Sequence, residues 1–222
     1  MPTFANHISI KHTKTMKRIL VLSLFIFISI SSFPQKSALH HILDVQLDPA
    51  QSHIKVTDSI LVLSEKEILI TLNSALKILS FSSNVKAEQL AGTFKSNDVG
   101  MDRDNGGENT KVKLNKWKLI LDKDSKYFVI NYEGNVNFSF SQSEEDYARG
   151  FSETSGIISD SGIYLAGSTH WVPSFNDRLV TFQMTTSLPQ GWKSVSQGKR
   201  LDEATSEGRH YDTWICEHPQ EE

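Results

Sequence analysis

Cysteine is almost absent: Cys216 stands alone in 222 residues. It has no partner within the chain, so no internal disulfide holds the fold together and stability must come from a packed core. Charge of one sign is missing as well. With 23 Lys+Arg against 26 Asp+Glu the net charge is -3, and no basic cluster gathers anywhere, which removes the electrostatic case for a nucleic-acid partner. At 38% hydrophobic content there is enough apolar material for a core and too little for a multi-span membrane protein. Long amphipathic helices, internal repeats and Pro/Ser-rich linkers are also lacking after residue 33, so the chain reads as one domain behind a leader.

The leader is the sharpest local signal. "MKRILVLSLFIFISISSF" carries Lys17 and Arg18, then an apolar run from Ile19 to Ile30, then small residues Ser29, Ser31 and Ser32. That order is a secretory signal peptide, and the run is short for a membrane span. An N-terminal anchor is the competing reading, and Met16 is a candidate start. Residues 1–33 are set aside as leader, and 34–222 as the domain.

What fills the domain is period two. In "HHILDVQLDP", His41, Leu43, Val45 and Leu47 alternate with Ile42, Asp44, Gln46 and Asp48, a half-buried strand. "HIKVTDSILVL" follows, with a bend or bulge expected around Asp58. "EILITLN", "LKILSFSS", "WKLILD", "YFVINYEG" and "NVNFSFSQ" continue the series, with a hairpin turn expected at Glu133-Gly134. "LPQGWKSVSQGK" reads as two strands around a Pro-Gln-Gly turn, and "YDTWICEH" as a strand that half-buries Cys216. Glu144 to Ala148 suggests one helical turn. The expectation is an all-β protein, an antiparallel sandwich or saddle-like domain.

Zinc hydrolysis on a helix needs H-E-x-x-H, which is absent, and His40 and His41 must point to opposite faces of their strand. The loop with Asp102, Asp104, Asn105 and Glu108 resembles a calcium loop, but Gly106, Gly107 and Lys113 fall where ligands or glycine should alternate. "GFSETSG" misses the nucleophile-elbow pattern by one residue, Thr154. Asp160, Ser168 and His170 can be drawn as a triad, a combination that chance supplies in any chain of this size. Trp117, Trp171, Trp192 and Trp214 could stack sugars or could be sheet residues. No catalytic or metal-binding set follows from the residues, and an exported binding module for a carbohydrate or protein ligand stays open.

Three stretches carry a resemblance. "HHILDVQLDPAQSHIKVTDSILV", "YARGFSETSGIISDSGIYLAGSTHWVPSF" and "VTFQMTTSLPQGWKSVSQGKR" resemble the N-terminal β-domain of the aminopeptidase N family of zinc metallopeptidases. The last, with its Leu-Pro-x-Gly-Trp-x-x-Val-Ser-x-Gly hairpin, is the most specific. Val172 departs from the aromatic more usual there. The resemblance implies that zinc, H-E-x-x-H, a distant Glu ligand and a Gly-x-Met-Glu-Asn motif belong to a C-terminal catalytic domain of the parent polypeptide. Since "WICEHPQEE" closes just after a strand, it also implies a fragment, inactive alone, of an exported enzyme that trims peptides from their N-termini in a periplasm or at a cell surface. By the same resemblance Glu153, or else Glu145, would meet the substrate's ammonium, a pairing that suits a carboxylate in a dry cleft. Tyr164, Leu165, Trp171 and Pro173 would line the edge facing the catalytic domain.

Overall fold

The computed structural model describes residues 39–62, 66–95, 112–138, 154–175 and 178–220. The leader, the loop of Asp102 and Glu108, the Glu144–Ala148 segment, and Glu145 and Glu153 lie outside them. The strands are β1 (Leu39–Asp48), β2 (His53–Leu61), β3 (Glu67–Asn73), β4 (Leu76–Phe81), β5 (Val85–Gln89), β6 (Phe94–Lys95), β7 (Lys113–Leu121), β8 (Tyr127–Asn135), β9 (Ile157–Ser159), β10 (Gly162–Tyr164), β11 (Val180–Pro189), β12 (Lys199–Ser206) and β13 (Arg209–Gln220). The fold is all-β, as the alternation requires.

Seven strands form one sheet in the order β12-β13-β11-β1-β2-β8-β4; β3, β7 and β5 form a second, with β6 added on β7. The sheet is mixed rather than purely antiparallel, because β1 and β11 run parallel, with Leu43 beside Met184. Parallel neighbours need a long crossover, and here everything from β2 to β10 lies between them.

Register explains the core. His41, Leu43, Val45 and Leu47 of β1 oppose Ile60, Asp58, Val56 and Ile54 of β2. These inward rows continue into Phe128, Ile130 and Tyr132 of β8, all fully buried. The second sheet supplies Ile68, Ile70, Leu72 and Leu119 to the same core. Trp117 of β7 meets Phe81 of β4 with ring centroids 5.7 Å apart, which places the small sheet over the β4 end of the large one.

Three local expectations give way to the register. Asp58 marks no bulge: β2 pairs continuously on both sides, and Asp58 simply takes an inward position between Val56 and Ile60. Glu133-Gly134 is no turn, since β8 runs straight through it. Gly134 is required because a Cβ there would stand 2.2 Å from the Ala75 carbonyl oxygen. In "LPQGWKSVSQGK" the turn forms after Pro189, but residues 192–198 take no strand pairing before β12 begins.

Candidate functional site

A trough of about 830 Å³ lies over the β1–β11 half of the large sheet. Its floor is the inward rows of those two strands, Leu43, Val45 and Leu47 beside Val180, Met184 and Leu188. One wall is the Ile163–Ser174 segment and the other is Trp192–Gln197.

The first wall is held by backbone pairing. Thr71 and Ser174 exchange both amide bonds, at 3.0 and 2.8 Å. The Asn73 amide reaches the His170 carbonyl at 2.9 Å, and the Asn73 side chain donates to the Thr169 carbonyl at 2.8 Å. Thr169 is fully buried, and its hydroxyl donates to the Ser155 carbonyl. Gly156 is essential to this fit: with φ +151, any Cβ on it would lie 2.5 Å from the Thr169 hydroxyl oxygen. The wall therefore springs from β3 of the small sheet and leans over the large one. It turns Ile163, Leu165, Trp171 and Val172 to the trough, each half-buried.

The expected edge residues separate here. Leu165 and Trp171 lie along the trough. Tyr164 points away and is 54% exposed. Pro173 is buried behind the wall. Of the four Trp residues, Trp171 and Trp192 face the trough, Trp117 packs in the other sheet, and Trp214 is buried beneath the Arg200 guanidinium, 4.9 Å from its ring centre. A single four-Trp platform does not form. Asp160 and Ser168 are exposed and His170 is half-buried; no hydrogen bond joins these three side chains.

Two buried acid–histidine pairs flank the trough, and neither was legible as a site from motifs. At one end, His41 Nδ1 lies 2.8 Å from Asp58 Oδ2, with both residues essentially unexposed. The Phe175 ring packs edge-on against His41 at 5.5 Å. Burial, then the charge of Asp58, pushes the Tyr132 hydroxyl well above its ordinary pKa. At the other end, Asp212 is fully buried and accepts the Ser194 amide at 2.7 Å and the Ser194 hydroxyl at 2.9 Å. His210 Nε2 stands 3.3 Å and Arg200 Nε 3.5 Å from its oxygens. Burial raises the Asp212 pKa, but the two Ser194 donors and His210 outweigh it and hold the carboxyl below its ordinary value. The signal for Asp58 was present in the sequence, as an acid on the inward parity of β2. Asp212 has the same parity as His210 and Trp214.

These pairs also bear on metal binding. Glu203 Oε1 approaches His210 Nε2 at 3.7 Å, so His210, Glu203 and Asp212 are neighbours. The Glu203 oxygens are engaged by Lys193 at 2.6 Å and Arg200 at 3.0 Å and Asp212 Oδ2 by Ser194, while Asp212 Oδ1 faces Arg200 Nε at 3.5 Å. Cations and amides stand where a metal would. Among the described residues no group of three His, Cys, Asp or Glu is placed to hold a metal ion, and these residues do not fit a zinc.

No family model matches the sequence, and no curated protein does. Among solved structures, the chain is similar to a mutant M1 zinc metallopeptidase from Deinococcus radiodurans bound to a Tyr-Ser-Ala substrate, at 12% identity and TM-score 0.48. It covers 84% of this chain and 41% of that one. The unmutated enzyme from the same organism is similar at 11% identity and TM-score 0.45, with 83% and 40% covered. The chain thus spans about two fifths of the length of these structures.

Proposed function

We propose that the chain is the non-catalytic N-terminal β-domain of an exported zinc aminopeptidase of the aminopeptidase N type, and that its trough is the face on which the catalytic domain of the same polypeptide docks. The reading rests on the three sequence stretches named above and is carried by one observation. The Ile163–Ser174 wall, itself one of those stretches, holds Ile163, Leu165, Trp171 and Val172 half-exposed beside an apolar floor. An open apolar concavity of this kind marks an interaction surface. In the parent, zinc and the peptide-cleaving groups would belong to the docked domain, and Glu153 or Glu145 would meet the substrate's amino terminus. The coding DNA beyond codon 222 tests this: an open frame encoding H-E-x-x-H is expected. Zinc-dependent release of an aminoacyl reporter by the purified 222-residue chain would overturn the non-catalytic role.

A second reading is a self-contained exported binding module. The trough's volume lies within the range of small-ligand sites, roughly 300–1,000 Å³, and Trp171 and Trp192 both border it. This reading expects glycan binding that Trp171→Ala abolishes; a glycan array showing no Trp171-dependent binding removes it.

A further inference from the structure

The walls of the trough are held by different means. Ile163–Ser174 is tied to β3 by backbone pairs, whereas residues 192–197 belong to no strand and hang on side chains that converge on Ser194. Its amide and hydroxyl both go to Asp212 Oδ2. Its hydroxyl oxygen also receives Trp214 Nε1 at 3.0 Å and the Thr186 hydroxyl at 2.9 Å. Its carbonyl accepts from Arg200 Nη2 at 3.2 Å. A hydroxyl has one proton and two lone pairs, so every capacity of the Ser194 side chain is used. Beyond Ser194 the wall runs into solvent, with Val195 89% exposed.

We infer that Asp212 and Ser194 are the positioning residues that set the width of the trough: while the Asp212 carboxylate accepts both Ser194 donors the Trp192–Gln197 wall stands over β11, and when that acceptor is lost the wall swings off and the trough widens. The inference rests on the trough being the functional face proposed above. The charged groups around Asp212 are Arg200 and Glu203 from β12, His210 from β13, and Lys193 from the wall itself, the last joined to Glu203. A carboxylate offers Oδ2 to both Ser194 donors and keeps charged Oδ1 3.5 Å from Arg200 Nε. An Asn would aim its amide nitrogen either at the two Ser194 donors or at the Arg200 guanidinium. A protonated acid would likewise surrender one acceptor oxygen. Asp212 is held below the ordinary carboxylate value, so the wall is latched at neutral pH and released only in acid.

Amide hydrogen exchange on the full 222-residue chain tests this, with the amides of β1 as internal reference. Asp212→Asn and Ser194→Ala are each expected to speed exchange of the hydrogen-bonded Trp192 and Ser194 amides by roughly ten- to hundredfold, the scale of losing a charge-assisted hydrogen bond, while Leu43 and Val45 keep their rates. Ser194→Thr, which retains the hydroxyl, is expected to restore protection. Thr186→Val reads the same contact from the floor if Asp212→Asn does not fold. Unchanged exchange in Ser194→Ala overturns the inference. So does faster exchange shared equally by β1, which would make Asp212 a support of the whole sheet rather than of the wall. The measurement needs no partner domain, so failure of the latch leaves the docking reading standing, and failure of docking leaves the exchange result untouched.

Discussion

The two halves of the large sheet bury the same chemical pair in different ways. At one end of the trough, His41 and Asp58 sit at 1% and 0% side-chain exposure. At the other end, His210 and Asp212 are nearly as buried, at 8% and 0%, but Ser194, Arg200, Glu203 and Lys193 connect them to the surface. In the first pair the acid and the imidazole meet directly at 2.8 Å, with the Phe175 ring packed edge-on against His41. The second has a network that distributes the cost of leaving water among hydroxyl, amide and guanidinium donors. A buried acid thus serves as a core specifier in one half and as the anchor of a loop in the other. The difference comes from what each pair joins: His41 and Asp58 meet within the paired strands β1 and β2, whereas Asp212 also holds a strandless wall through Ser194.

The largest effect should break the sealed pair. Asp58→Ala removes the acid 2.8 Å from buried His41 and is expected to cost about 3–5 kcal/mol, read as a lowered midpoint in urea unfolding. Asp212→Ala, with Arg200 able to turn to Glu203 and solvent, should cost less, about 2–3 kcal/mol. Equal losses would erase the distinction between the halves. The apolar packing offers a parallel contrast. Phe128→Ala, at 0% exposure, is expected to cost about 3–5 kcal/mol. Met184→Ala, on the trough floor at 8% exposure, should fall near the low end for such changes, about 2 kcal/mol.

Acid sharpens the comparison further. Burial lowers the His170 pKa from 6.5, so the unfolded chain takes up that proton first as pH falls. The His170 contribution is therefore complete above 6.5 and declines as pH drops through the folded value. His40, lowered by burial and then by His41, acts in the same direction. Asp212, held below its ordinary 3.8, contributes stability above that value and loses it at still lower pH. Thermal melts should show two acid steps, with His170→Gln flattening the upper and Asp212→Asn the lower. The smallest effect is expected at Val195, 89% exposed. Val195→Ser should stay within about 0.5 kcal/mol, and a larger loss would show the wall's tip to be packed in solution.

Much of the fold was legible because alternation is local. His40 outward and His41 inward follow from the period of one strand, and so does the half-burial of "HHILDVQLDP". Where local cues competed with register they misled. Glu133-Gly134 has turn composition, yet Gly134 is there to let the Ala75 carbonyl approach β8. Asp58 broke the apolar rhythm and suggested a bulge, when it was an inward acid opposite His41's strand. Leu165 and Trp171 lie along the trough, whereas Tyr164, paired with Ile157 in the short β9–β10 hairpin, is 54% exposed; residue type alone does not separate them.

By itself the sequence determined the class of structure, the faces of its strands, the absence of disulfide support and the lack of a metal motif, because each follows from residue type and near-neighbour spacing. Only the tertiary structure decided that β1 would lie parallel beside β11, with His40 bonded to Thr181 across 141 residues. That pairing creates the floor of the trough, beside which the strandless wall meets Asp212 through Ser194. Strand alternation states which side chains turn inward; it carries no information about which distant strand they will meet there, since that is settled by the packing of the whole sheet.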